Sequence, residues 1–143
     1  MTAAPKMIFV NLPVIDLTRS TAFYESIGAT KNPQFSNDLA SCMVFSDTIH
    51  VMLLTHDFFR TFTAKPIADA HASAEVLVCF SADSRAAVDA MVGKASNGGR
   101  IDFRPPQDHG FMYGRSFEDP DGHIFEVMWM DVEAAKAAMA SAA

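Results

Sequence analysis

Apolar and polar positions along the chain alternate between two rhythms, and the order in which they do so repeats. The run "MIFVNLPV" (7–14) has the composition of a β-strand, rich in β-branched and aromatic residues. Asp16 then stands where a helix N-cap belongs, ahead of "LTRSTAFYESI". In that stretch Leu17, Ser20, Phe23, Tyr24 and Ile27 fall on one helical face, and Gly28 supplies the stop. Three short apolar segments separated by turn residues follow, "TKNPQF", "LASCMVFSD" and "IHVMLLT", each predicted as a strand. Residues 56–74 have aromatic content without a clean period and are expected to form a connection.

The pattern then restarts. "EVLVCFSAD" predicts a strand ending at Asp83, a second candidate N-cap. In "SRAAVDAMVGKAS" the residues Ala87, Val88, Met91 and Ala95 are helically spaced, and "NGG" (97–99) closes the segment. Strands are predicted in "RIDFR", "GFMYGRSF" and "HIFEVMWMD", and an alanine-rich helix capped by Asp131 in the tail. With Asp16 set opposite Asp83, Ser20 meets Ala87, Tyr24 meets Met91 and Gly28 meets Ala95. Each half reads βαβββ, which predicts an internal repeat, with module one at 7–55, module two at 75–131 and a C-terminal helix at 132–143 of a single domain. Two such modules, each with one apolar sheet face, are expected to form an α+β fold with a curved mixed sheet and a cleft.

At 143 residues the chain has room for one domain or two half-domains. Phenylalanine (12) and methionine (9) far outnumber tyrosine (2) and tryptophan (1), which suits adaptable apolar interiors or an apolar pocket. A net charge of −6 without a basic run argues against a nucleic-acid partner. No apolar run approaches the roughly 20 residues that cross a bilayer. The first residues lack the shape of a signal peptide, since Asn11 and Pro13 interrupt the apolar stretch. Two isolated cysteines, Cys42 and Cys79, make no disulfide framework. A cytoplasmic protein with two reduced, buried thiols is expected.

The segments "FVNLPVIDLTRSTAFYESIGA" and "SFEDPDGHIFEV" resemble the two signature stretches of the vicinal oxygen chelate superfamily. That superfamily includes glyoxalase I, the extradiol dioxygenases and the bleomycin- and fosfomycin-resistance proteins. The resemblance spans roughly residues 7 to 131. Asp119, Pro120, Asp121 and Gly122 also make sense as plain turn chemistry, and that reading of the acidic pair is preferred.

The resemblance implies one divalent metal held by four ligand positions on four strands. The last position falls on Glu126, a suitable ligand. The first falls on Phe9, the one on the fourth strand at or near Leu53, and the one opening the second half on Leu77. Glu75, two residues before Leu77, would share its strand face and is the second candidate ligand. One carboxylate cannot hold a divalent ion by itself. His50 is expected to alternate away from the cleft. His56, His71 and His109 lie in connections, with His109 the best placed to overhang a site.

By alternation, Phe9, Asn11, Leu53, Leu77, Cys79, Glu126 and Met128 are expected to line a small-molecule pocket. Tyr113 and Arg115 alternate together on the neighbouring strand, with Arg115 in a position to pair with Glu126 or with an anionic substrate. Three functions stay open: a metal-assisted lyase, isomerase or dioxygenase; a metal-free protein sequestering a small ligand; and metal-free acid/base chemistry by Glu126. The resemblance also implies a homodimer.

Overall fold

The computed structural model describes residues 3–142. In chain order the elements are β1 (Ile8–Val14), α1 (Leu17–Ser26), β2 (Thr30–Asn32), a 3-10 turn (Pro33–Phe35), β3 (Ala40–Val44), β4 (Ile49–Thr55) and α2 (His56–Phe59). They continue with β5 (Val78–Ser81), α3 (Arg85–Ala95), β6 (Arg100–Ile101), β7 (Gln107–Asp108), β8 (Met112–Glu118), β9 (Ile124–Met130) and α4 (Val132–Ala142). The chain divides into two compact units between Ser73 and Ala74. The class is α+β, and the strands form two mixed sheets, one in each unit, ordered β1-β4-β3-β2 and β5-β9-β8-β6, with β7 added on β8.

Both units follow one rule. The first strand runs parallel to the last (β1 with β4, β5 with β9), and the remaining pairs are antiparallel. In the first unit, Asp16 caps α1 by accepting a hydrogen bond from the Arg19 amide at 3.0 Å. Gly28 follows the helix at φ +117°, a conformation that favours glycine, and the turn closes with the Ala29 amide on the Tyr24 carbonyl. The helix buries Ser20, Thr21, Phe23 and Tyr24. Its Thr21 hydroxyl bonds Ser41 Oγ on β3 at 2.7 Å, which fixes the sheet face that α1 covers. Ser41 is paired with Leu53, so that face also carries Leu53 and Val51, both fully buried.

In the second unit the cap of α3 is Ser84, whose Oγ accepts from the Ala87 amide at 3.0 Å, and not Asp83. Ser84 takes the role because its own backbone is extended where the helix begins one residue later. Val88, Val92 and Ala95 are buried on α3, and Phe80, Phe117, Phe125 and Val127 in the sheet. Phe125 stacks on Phe117 at 5.2 Å and on Phe80 at 5.6 Å between centroids. Asp131 caps α4 through the Ala134 amide at 3.1 Å. No described helix is long and apolar enough to cross a membrane. Pro33 cuts β2 to three residues by starting the 3-10 turn, so "TKNPQF" is only partly a strand. The two-residue β7 was not predicted.

Candidate functional site

The turn between β8 and β9 sets the register of the hairpin that carries Glu126. Asp119 Oδ1 accepts from the amides of Asp121 (2.9 Å) and His123 (2.8 Å), and Gly122 takes φ +89°. The Asp119 and Gly122 geometry is turn chemistry, as preferred from the sequence. Closing the loop this way pairs Glu118 with Ile124 and therefore Ser116 with Glu126. On the other side β5 enters parallel to β9 and sets Cys79 beside Glu126. Cys79, Glu126 and Ser116 thus form one row across three strands, all pointing to the same face. The next row holds Ser81, Met128 and Gly114, and beyond it Met112 pairs with Met130.

Arg104, between β6 and β7, brings its Nη2 to Glu126 Oε1 at 2.5 Å. The pair is partly exposed, so its net contribution to stability is about 1 kcal/mol or less. It does fix the carboxylate in place as a charge-assisted hydrogen bond. The Cys79 thiol has its pKa raised, first by burial and then by the negative charge of Glu126. Contrary to expectation Cys79 is exposed, whereas Cys42 is buried.

Tyr113 and Arg115 lie on the opposite face of β8 from Glu126, because odd positions of that strand point toward α3. Arg115 bonds Asp102 through Nε (3.1 Å) and Nη2 (2.6 Å), and Asp89 of α3 through Nη1 (2.9 Å). The Tyr113 hydroxyl donates to Asp89 at 2.7 Å. Asp102 holds its grip from a left-handed backbone, φ 48°, which aspartate tolerates better than most residues. Arg85 completes the cluster, bonding both oxygens of Asp108 at 2.8 Å and lying over the rings of Tyr113 and Trp129. Hydrogen bonding to Arg85 holds the Asp108 carboxyl well below the usual carboxylate range. Asp89 is lowered chiefly by Tyr113 and then by Arg115. This network ties α3 to the sheet, and the expected Arg115–Glu126 pair gives way to Arg104–Glu126.

Leu77 and Glu75 precede β5, which starts only at Val78, and both are exposed. The strand-face argument that linked them to Cys79 therefore does not apply. Phe9 and Asn11 belong to the first unit and share the β1 face turned away from α1. Leu53 is on the α1 side, and His50 takes the position expected for it. His50 is paired with Phe9 and stacked on it, 4.5 Å between centroids and 15° between planes. Its Nδ1 is buried without a hydrogen-bond partner among the described residues. His109 lies against Phe111.

Among the described residues no group of three or more His, Cys, Asp or Glu side chains converges as a metal site would require. The donors around Glu126 do not fit a divalent ion: the Glu126 carboxylate faces a guanidinium, and its row neighbours are a serine and a protonated thiol. Sequence reasoning missed Arg104 and Ser116. Ser116 was within reach by counting through the turn, since hairpin partners step symmetrically from Glu118 and Ile124. Arg104 carries no local signal.

A profile of the Glyoxalase/Bleomycin resistance protein/Dioxygenase superfamily matches residues 6–127. A search of curated proteins finds no match. Among solved structures, a hypothetical protein from S. aureus is 25% identical with a TM-score of 0.72, over 89% of this chain and 95% of that one. A glyoxalase/bleomycin resistance protein/dioxygenase family enzyme from Burkholderia phytofirmans PsJN is 17% identical with a TM-score of 0.73, over 88% and 99%. The fosfomycin resistance protein FosX from Mesorhizobium loti is 20% identical with a TM-score of 0.62, over 94% and 98%. With the profile covering most of its length, this chain belongs to the glyoxalase/bleomycin resistance protein/dioxygenase superfamily.

Proposed function

We propose that this chain binds a small, largely apolar molecule on the Glu126 face of its second unit, and that it does so without a metal ion. The Arg104–Glu126 pair carries this reading. The one carboxylate at a family ligand position is already neutralised by a guanidinium, and a divalent ion would have to displace that partner and find others. Along the same sheet face, Met128 stands one row from Glu126, and Met112 and Met130 pair in the row after it; their unbranched, polarisable side chains adapt to an apolar body. A mainly apolar surface with a few fixed polar groups is the usual make-up of a small-molecule site.

The test is a thermal-shift and calorimetric screen of small aromatic and aliphatic compounds in the presence of EDTA. Saturable binding that weakens in Arg104→Ala is the expected result; compounds that bind only after a divalent metal is added would overturn the reading. Lyase- or dioxygenase-type turnover is the second reading, favoured by the position of Glu126 itself. Metal-dependent turnover abolished in Glu126→Ala would carry it. Assembly as a homodimer belongs to the same proposal, supported by Ile8 and Phe9, half exposed on the edge strand β1. Light scattering at the mass of one chain would contradict that part.

A further inference from the structure

Strands β6 and β7 lie along the same edge of β8 and are out of step with one another. Ile101 stands opposite Phe117 and Gln107 opposite Gly114, so the five residues 102–106 face only two, Ser116 and Arg115. The surplus forms a bulge on the sheet edge, a device that re-aims side chains. Arg104 is at its centre.

Each part of the bulge is held. Asp102 enters it with its amide on the Ser116 carbonyl at 2.9 Å and its backbone left-handed, φ 48°. Its two carboxylate oxygens accept from Nε and Nη2 of Arg115, a two-point bond that fixes direction as well as distance. The Arg100 guanidinium lies over the ring of Phe103, 5.9 Å from its centroid. Pro105 and Pro106 stiffen the exit, and Pro105 disfavours helical backbone at Arg104. Beyond them Asp108 accepts from Arg85 through both oxygens. Arg115 and Arg85 grip the bulge from the α3 side, while Arg104 reaches Glu126 on the opposite face.

We infer that Arg115 is a positioning residue for the Glu126 site: its fork on Asp102 sets the bulge so that Arg104 rests on the Glu126 carboxylate. The inference rests on the binding reading above and adds what holds its polar anchor in place. Arg104 is a long side chain, 43% exposed, and an exposed ion pair has to offset the entropy of holding such a chain still. A backbone already fixed at Asp102, two residues earlier, leaves less freedom to lose. Lysine at position 115 would keep the charge but not the two-point bond.

Cys79 stands beside Glu126 in the sheet, and the Glu126 charge helps raise its pKa. The pH midpoint of iodoacetamide labelling at Cys79 therefore reads whether Arg104 is present to offset that charge, with Cys42 buried and silent. Arg104→Ala is expected to raise the midpoint by about 0.3 pH unit, a roughly twofold fall in labelling rate at pH 7. Asp102→Asn and Arg115→Lys should each raise it likewise, and add nothing on top of Arg104→Ala. The sign decides for Asp102→Asn: deleting a negative charge would by itself lower the midpoint, whereas release of Arg104 raises it. Asparagine also accepts the left-handed backbone, and Arg115 keeps its bond to Asp89, so this variant spares the fold. Either variant at or below the wild-type midpoint, with Arg104→Ala raised, overturns the positioning role and leaves the binding reading standing. An unmoved midpoint in Arg104→Ala overturns both, because the pair that carries the binding reading is then not formed.

Discussion

Ser116→Ala is expected to stabilise the ligand-free protein, although it removes a polar group from a buried strand. An unsatisfied buried hydroxyl costs about 1–3 kcal/mol relative to its hydration in the unfolded chain, and alanine deletes that cost while keeping the Cβ. The void left by one oxygen and the small difference in strand preference take back a few tenths. The net gain is about 1 kcal/mol, or roughly 3–5 °C in Tm for a chain of this size. Ser41 provides the opposite case: equally buried, its hydroxyl is bonded to Thr21 at 2.7 Å. Ser41→Ala is expected to cost about 1 kcal/mol. Urea unfolding followed by fluorescence of Trp129, the sole tryptophan and a residue of the same sheet as Ser116, reports the first change directly. Circular dichroism serves for the second. A loss of stability in Ser116→Ala would refute the reasoning, because it would mean that the hydroxyl has a partner worth keeping.

Arg115→Met should destabilise by about 2 kcal/mol in urea titration, since it strands the half-buried Asp102 carboxylate, while Arg104→Ala should change stability by less than about 1 kcal/mol. Asp108 and Asp89 have folded-state pKa values held below the ordinary carboxylate value, so their stabilising contribution is present above about pH 4 and is lost as pH falls through the lowered values. Asp108→Asn should flatten the fall of Tm with acidification in that window, and an unchanged acid limb would contradict the assignment. Because the Glu126 charge helps raise the Cys79 pKa, Glu126→Gln should speed maleimide labelling of Cys79 at neutral pH, with Cys42 protected until unfolding. An unaltered rate would separate the two side chains.

What the sequence made legible was local. Asp16, Gly28, Asp131 and the Asp119–Gly122 turn act within four or five residues of themselves, and each does in the structure what its residue type suggested. The side on which a strand presents its residues was harder to read. In β4 both faces are buried, with Val51 and Leu53 at 0% and Leu54 at 1% exposed, so hydrophobicity offers no contrast between them. The resemblance set the fourth-strand ligand position at or near Leu53, and the strand's own pattern could not correct it to the face that His50 occupies. Tyr113 and Arg115 were set beside Glu126 because neighbouring strands were linked without fixing their register, which the turn alone decides. Arg104 reaches Glu126 across 22 residues of loop and strand, and no pattern in a single sequence announces such a contact. The superfamily was legible because its two signature stretches are mostly cap and turn chemistry.

On the proposed reading Glu126 is an anchor shared with Arg104 and not a metal ligand. Metal content by mass spectrometry, on tag-free protein incubated with nickel, manganese, iron or zinc and then desalted, tests it most directly. Far less than one ion per chain is expected with every metal, and the same trace level in Glu126→Ala. One ion per chain that disappears in Glu126→Ala would contradict it.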